Sequence, residues 1–149
     1  MKRTLLLCGL AVIILSGCHA YKAPAGYVSI EDKGIYDFRA VSAEGCYYAI
    51  RSAKNQGKAS LDFWVKASTN ELTEGKGYRL LADEQETTDA GKPMRMLQLS
   101  TTKVGQELLY LVALTVSSAK IGIVEAGGPM EQLQKDLPAV MKAAKAVKW

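Results

Sequence analysis

The spacing of hydrophobic and polar positions predicts a set of strands and two helical regions along this chain. Three early segments alternate as half-buried strands do, at 26–30, 35–41 and 46–53. The alternation of the second segment places Tyr36 on the same face as Phe38 and Ala40. These segments predict the first part of a sheet.

A helix is predicted after Ser60, because serine is a favoured N-cap residue. Beyond it, apolar or small side chains recur at helical spacing, at Leu61, Trp64, Val65, Ser68 and Leu72. The glycine-containing segment 74–77 ends this pattern, since glycine commonly follows the last turn of a helix.

The strand pattern resumes in the second half of the chain, at 78–82, 94–101, 108–116 and 121–126. The segment 108–116 is almost continuously apolar, which predicts a central strand that is covered on both faces. Between the first two of these strands, the polar segments 83–86 and 87–89 are predicted to form a hairpin connection.

A second helical region is predicted from 127–129 to the end of the chain, because proline at 129 suits a first helical turn. Pro138 is predicted to divide this region, since proline lacks an amide hydrogen and disfavours helix in the preceding residue. The apolar stripe of the last helix consists of Leu137, Val140, Met141, Ala144 and Val147.

The order of elements is therefore βββ–α–ββββ–α. Runs of hairpins separated by one helix predict the α+β class, with an antiparallel sheet of about six or seven strands and helices packed against it. Residues 26–149 are predicted to form one domain.

The N-terminal segment has a different composition from the rest of the chain. Lys2 and Arg3 precede an apolar run at 5–15, and small residues follow it. That run is about half of the roughly 20 residues that a transmembrane helix needs. Residues 1–17 are therefore predicted to be a secretory signal peptide.

The sequence Leu15-Ser16-Gly17-Cys18 resembles the lipobox of bacterial lipoproteins. The resemblance implies signal cleavage between Gly17 and Cys18 and attachment of lipid to Cys18. Two or three acyl chains would anchor the protein firmly in a membrane. Residues 18–25 are predicted to be the lipidated N-terminus and a linker.

The residue after Cys18 implies the destination of such a lipoprotein. In Gram-negative lipoproteins an aspartate at this position favours the inner membrane, whereas this chain has His19. The resemblance therefore implies the periplasmic face of the outer membrane. In a Gram-positive cell the same signal would place the domain on the outer face of the single membrane.

The charge balance argues against nucleic acid as a partner. Loss of Lys2 and Arg3 with the signal peptide would lower the formal charge from +4 to +2. The lysines at 142, 145 and 148 are predicted to form a solvated helix face rather than a contact with anionic lipid.

The reactive residues of the chain exclude several classes of enzyme. Its one histidine is His19, beside the predicted lipid anchor, so Ser-His-Asp catalysis, Cys-His catalysis and histidine-based zinc sites are excluded from the domain. Cys46 would be the only other cysteine after Cys18, and it is predicted to be a buried structural thiol. We expect no catalytic residues, no metal and no cofactor.

The mature part of the chain resembles the PsbP-like superfamily, which includes DcrB-like bacterial lipoproteins. The resemblance is carried by Phe63-Trp64 in the central helix, by Gly77-Tyr78 after it, and by Ile123-Val-Glu-Ala-Gly-Gly128 before the last helix. It implies a sheet between helices, binding, assembly or chaperone-like roles, and no shared catalytic residues.

Three classes of function are consistent with these observations. The favoured one is a non-catalytic accessory protein of the cell envelope that docks a protein partner or supports an envelope assembly. The second is a carrier of a small molecule or lipid, which would bind in a cleft between the sheet and a helix. Aromatic residues are the candidates for lining it, namely Tyr47, Tyr48, Trp64, Tyr78 and Tyr110, although aromatic residues at these spacings more often belong to the core. Trp64 and Tyr78 are the favoured ligand-binding residues among them. The third is a cell-wall enzyme or enzyme inhibitor.

Overall fold

Seven strands form a single antiparallel sheet in the computed structural model, which describes residues 21–32 and 34–149. They are β1 (Tyr27–Ser29), β2 (Phe38–Ser42), β3 (Tyr47–Lys54), β4 (Arg79–Thr87), β5 (Pro93–Lys103), β6 (Gln106–Val116) and β7 (Lys120–Pro129). Their order across the sheet is β1-β2-β3-β7-β6-β5-β4. The predicted signal peptide, 1–17, and Cys18 lie outside the described residues.

One helix packs on each side of the sheet. Helix α1 (Leu61–Asn70) begins where the Ser60 hydroxyl accepts a hydrogen bond from the amide of Phe63 at 3.2 Å, and it continues into a π-helical turn, Glu71–Gly75. Helix α2 (Met130–Lys145) packs against β6 and β7 on the other side. This arrangement confirms the predicted α+β class and its antiparallel sheet.

The core consists of two layers, one on each side of the sheet. Under α2, the largest fully buried residues are Tyr48, Ile50, Met94, Met96, Leu109, Leu111, Val124, Leu133 and Val140. Under α1, the buried residues are Val65, Leu72, Leu97, Leu99, Val112, Leu114, Ile121 and Ile123. Strand β6 contributes to both layers, which confirms that its apolar run marks a strand covered on both faces.

The prediction of a hairpin connection at 83–86 is wrong, because these residues lie inside β4. Asp83 forms an ion pair with Arg95 on β5, and Glu86 forms one with Lys145 on α2 at 2.6 Å. Asp83 and Glu86 thus each have a basic partner on another element, and charged side chains are common on strands at the edge of a sheet. The connection itself is shorter: the amide of Thr88 donates to the carbonyl of Lys92.

Two predictions about the C-terminal region also need correction. The segment 127–129 completes β7, and α2 starts only at Met130. Pro138 lies inside α2 and does not divide it. Its side chain is exposed to solvent, so the carbonyl that it leaves without an amide partner can bond to water instead.

The predicted shared face of Tyr36, Phe38 and Ala40 is only partly correct. Phe38 and Ala40 belong to the core under α2, and the ring of Phe38 lies 6.4 Å from that of Tyr48. Tyr36 precedes the first residue of β2, so strand alternation does not govern it. Its ring instead lies 5.7 Å from the Arg39 guanidinium.

The first described residues are attached to the domain. Tyr21 and Ala23 pack against the core under α2, and Pro24 is buried. Across residues 21–32 and 34–149, no helix combines the length and the apolar character that crossing a membrane would require.

Candidate functional site: a tyrosine and arginine face

The strand register aligns side chains in rows across the α1 side of the sheet. One row runs from β1 to β6 through Val28, Val41, Tyr47, Gly127 and Tyr110. The next row runs through Arg39, Ala49, Glu125 and Val112. Helix α1 packs over β5 and β6, and the polar and aromatic side chains of these two rows are Arg39, Tyr47, Tyr110 and Glu125.

An ion pair lies at the centre of this area. Glu125 is a carboxylate on the central strand β7, and it is only 5% exposed. Arg51, on β3, donates to Oε1 of Glu125 from Nε at 3.1 Å and from Nη2 at 2.8 Å. Burial alone would lower the pKa of Arg51, but the hydrogen bonds and the charge of Glu125 outweigh it and raise that pKa. The guanidinium of Arg51 therefore remains charged.

Tyrosine side chains surround the ion pair. The ring of Tyr47 lies directly above Gly127, so that a Cβ at this glycine would lie 2.5 Å from Cε1 of the ring. The ring of Tyr110, on the other side of Gly127, lies 5.5 Å from that of Tyr78. Tyr36 approaches the ion pair from the β1–β2 loop.

Burial raises the pKa of Tyr36, Tyr47 and Tyr110, and the negative charge of Glu125 raises each of them further. The three phenols therefore stay protonated at neutral pH and can donate hydrogen bonds. We call the six residues Tyr36, Arg39, Tyr47, Arg51, Tyr110 and Glu125 the tyrosine–arginine face.

The chemistry of this face favours binding over catalysis. It offers hydroxyl donors, one guanidinium with a carboxylate partner, and a second guanidinium stacked on Tyr36. Tyrosine and arginine are the residue types that, with tryptophan, contribute most to protein–protein binding energy.

The two residues favoured from the sequence as ligand-binding candidates, Trp64 and Tyr78, lie in different surroundings. Tyr78 borders the tyrosine–arginine face through its contact with Tyr110. Trp64 is half-buried, and its indole Nε1 donates to Oδ1 of Asn55 at 3.1 Å. The prediction that they bind a ligand remains a prediction.

Sequence reasoning missed the central members of the face. Glu125 is the single charge in the apolar strand segment 121–126, and a buried carboxylate requires a partner. That signal could have indicated a buried ion pair, although it would not have identified Arg51 as the partner.

Cys46 is buried, with 1% exposure, as predicted. Burial raises the pKa of its thiol, and the charge of Asp136 adds to this effect, so the reactive thiolate is disfavoured. The hydroxyl of Tyr27 donates to Asp136 at 3.0 Å beside it. This cluster supports a structural role for Cys46.

Two open grooves lie away from the tyrosine–arginine face. One, of about 450 Å³, is lined by Asp89, Leu137, Pro138, Met141, Lys142 and Lys145. The other, of about 390 Å³, lies between α1 and strands β4 and β5. Among the residues that the structure describes, no group of three or more histidine, cysteine or acidic side chains has the geometry to hold a metal ion.

Comparisons with known proteins identify the fold. No family model and no curated protein matches the chain. LpqN, which is involved in cell envelope biogenesis of Mycobacterium tuberculosis, is similar over 86% of this chain and 78% of its own, with 14% identity and a TM-score of 0.66. Cyanobacterial PsbP (CyanoP) from Synechocystis is similar over 83% and 82%, with 13% identity and a TM-score of 0.56.

A third similar structure is the Ran-binding protein Mog1p of Saccharomyces cerevisiae. It matches over 83% of this chain and 81% of its own, with 14% identity and a TM-score of 0.54. At these identities the likeness concerns the fold alone. The chain has a PsbP-like fold, in agreement with the resemblance found in its sequence.

Proposed function

We propose that this protein is a lipid-anchored, non-catalytic accessory protein of the bacterial cell envelope, and that it docks a protein partner through the tyrosine–arginine face. The observation that carries the proposal is the Glu125–Arg51 pair surrounded by protonated tyrosines on a part of the sheet that α1 leaves uncovered. Rigid aromatic rings and planar guanidinium groups bind a partner at a low cost in side-chain entropy.

The location in the envelope is supported by the lipobox and by the fold. Cleavage before Cys18 and acylation of its thiol would attach the domain to the periplasmic face of the outer membrane in a Gram-negative cell. One protein with the same fold, LpqN, takes part in cell envelope biogenesis, and another, Mog1p, binds the protein Ran. Intact-mass analysis of the membrane fraction tests this part, since the mature N-terminus must carry the acyl mass.

Photo-crosslinking in intact cells tests the docking face. A photoreactive phenylalanine analogue replaces Tyr47 or Tyr110 in separate variants, and it replaces Phe63 in a control. Phe63 is an aromatic residue on α1 that is 56% exposed and lies outside the face. The proposal predicts that one envelope protein is captured from both face positions and not from the control.

A substitution within the face tests whether capture of the partner depends on the face. Arg39→Ala removes the guanidinium that stacks on Tyr36, and we expect it to reduce capture from Tyr47. Equal capture from Phe63 would contradict the docking face. A small molecule or lipid that purifies with the protein in a one-to-one ratio would favour a carrier instead.

A further inference from the structure

Tyr21 shows where the N-terminal segment joins the domain. Its ring lies 6.0 Å from that of Phe38, the first residue of β2, on the α2 side of the sheet. Burial raises the pKa of Tyr21, and the charge of Asp37 adds to this, so the ring lies close to the end of the β1–β2 loop. The N-terminal segment therefore enters at the end of the sheet where that loop lies.

The distance from this point to the proposed anchor is short. Only His19 and Ala20 separate Tyr21 from Cys18 in the sequence. Three steps between consecutive Cα atoms span at most about 11 Å. Once Cys18 carries its acyl chains, Tyr21 must lie within that distance of the residue that enters the lipid headgroups.

The β1–β2 loop at this end contains an unusually exposed apolar side chain. Ile35 lies in a turn of the loop, two residues before Asp37, and it is 81% exposed. Single exposed apolar residues are common on proteins. This one, however, lies at the end of the domain that the tether brings to the membrane.

We propose that the β1–β2 loop, with Ile35, rests on the lipid surface and that the domain stands on this end. The inference rests on the proposed lipidation of Cys18. The partner of Ile35 is the boundary between headgroups and acyl chains, where apolar side chains of peripheral proteins are inserted. The loop sequence contains three acidic residues, Glu31, Asp32 and Asp37, against one lysine, Lys33, so the contact of the loop depends on the tether and on Ile35 rather than on attraction to anionic lipid.

This orientation keeps Tyr47 and Tyr110, in the tyrosine–arginine face, away from the lipid, whereas Tyr36, in the β1–β2 loop itself, lies at the end of the face nearest to it. Ser52, near the end of β3, bonds to Asp37 and so lies beside the loop. Tyr47 is five residues away along the strand, or about 17 Å further from the lipid. It also lies on the side of the sheet opposite Tyr21. The row from Tyr47 to Tyr110 is thereby kept clear of the membrane.

Fluorescence quenching in vesicles tests the orientation. The lipidated protein, with a fluorophore on Ile35→Cys or on Val104→Cys, is reconstituted into phosphatidylcholine vesicles that contain a nitroxide-labelled lipid. Val104 is a matched control, because it is a fully exposed apolar residue in the β5–β6 turn at the opposite end of the sheet. Cys46 is buried, and the unsubstituted protein gives the background labelling.

We expect quenching to be several-fold stronger at position 35 than at position 104. A flexible insert of about ten residues after Ala20 should remove most of that difference, because the tether would then no longer restrict the domain. Equal quenching at the two positions with the native tether, or stronger quenching at 104, overturns the inference.

Intact mass separates this result from a failure of the proposed function. If the protein carries the acyl mass and the two positions are quenched equally, only the orientation is wrong. If the acyl mass is missing, lipidation of Cys18 is wrong, and the orientation falls with it.

Discussion

Tyr47 and Gly127 face each other across strands β3 and β7, and the ring of the tyrosine occupies the space that a side chain at 127 would need. The absence of a Cβ on β7 thus lets an aromatic ring lie flat on a central strand. The same ring lies near the Glu125–Arg51 pair, two residues along β7. The lack of a side chain at residue 127 therefore determines where the Tyr47 ring can lie in the tyrosine–arginine face.

Gly127→Ala should destabilise the protein by about 1–3 kcal/mol, the usual cost of overpacking. Its Cβ would lie 2.5 Å from Cε1 of Tyr47 and 2.9 Å from Cζ, so the ring must move. Chemical denaturation measures the change in the free energy of unfolding. Gly57→Ala is the control, because a Cβ there meets nothing within 4 Å.

A double-mutant cycle identifies the contact responsible. With Tyr47→Ala already in place, Gly127→Ala should cost clearly less than it does alone, since the opposing ring has been removed. Costs that simply add would mean that the strain lies in the backbone and not against Tyr47.

Arg51→Met should destabilise the protein by about 2–3 kcal/mol, because it leaves Glu125 buried without a cation. This is less than for a fully buried pair, since the Arg51 side chain is 34% exposed. Adding Glu125→Gln to Arg51→Met should recover part of the loss. Lys76→Met serves as the control, because its pair with Glu71 is exposed on both sides and its loss should change little.

Urea denaturation of these variants provides the measurement. A loss no larger for Arg51→Met than for Lys76→Met would show that water solvates the Glu125 carboxylate in the folded protein. The double variant distinguishes this from a packing defect, since Glu125→Gln removes the charge and keeps the shape.

The tyrosine–arginine face should make the protein less stable in alkaline solution. In the unfolded chain tyrosine loses its proton near pH 10, whereas in the fold the pKa of Tyr36, Tyr47 and Tyr110 is raised. Above about pH 10 the unfolded chain therefore binds fewer protons than the folded one, and stability falls as pH rises. Below that pH these tyrosines contribute no pH dependence.

Tyr47→Phe tests this, because it removes one of the shifted groups and keeps most of the ring contact. The free energy of unfolding, measured between about pH 8 and pH 11, should fall less steeply for Tyr47→Phe than for the unsubstituted protein. Tyr78→Phe is the control at the border of the face, and equal slopes for Tyr47→Phe and the unsubstituted protein would contradict the assignment.

The sequence was sufficient for the fold class because most strands carry regular hydrophobic patterns. The sequence was insufficient where the structure of a segment depends on residues far from it in the chain. Residues 83–86 look like a polar loop, but Arg95 and Lys145, far apart in the chain, stabilise their charges within β4. The same limit applies to the face, since Arg51 and Glu125 are 74 residues apart and only the strand register brings them together.

Replacing Pro138 should stabilise α2, because proline inside a helix leaves one carbonyl of the preceding turn without its amide partner. The side chain is exposed, so little packing would be lost on substitution. Pro138→Ala is therefore expected to raise the free energy of unfolding by about 1–3 kcal/mol, measured by thermal and chemical denaturation. Pro129→Ala is the control: residue 129 ends β7, opposite Leu108 on β6, and lies outside α2, so this substitution restores no helical hydrogen bond and a gain equal to that of Pro138→Ala is not expected. A loss of stability in Pro138→Ala would show that the proline ring contributes to the groove beside Leu137 and Met141 more than its missing hydrogen bond costs the helix.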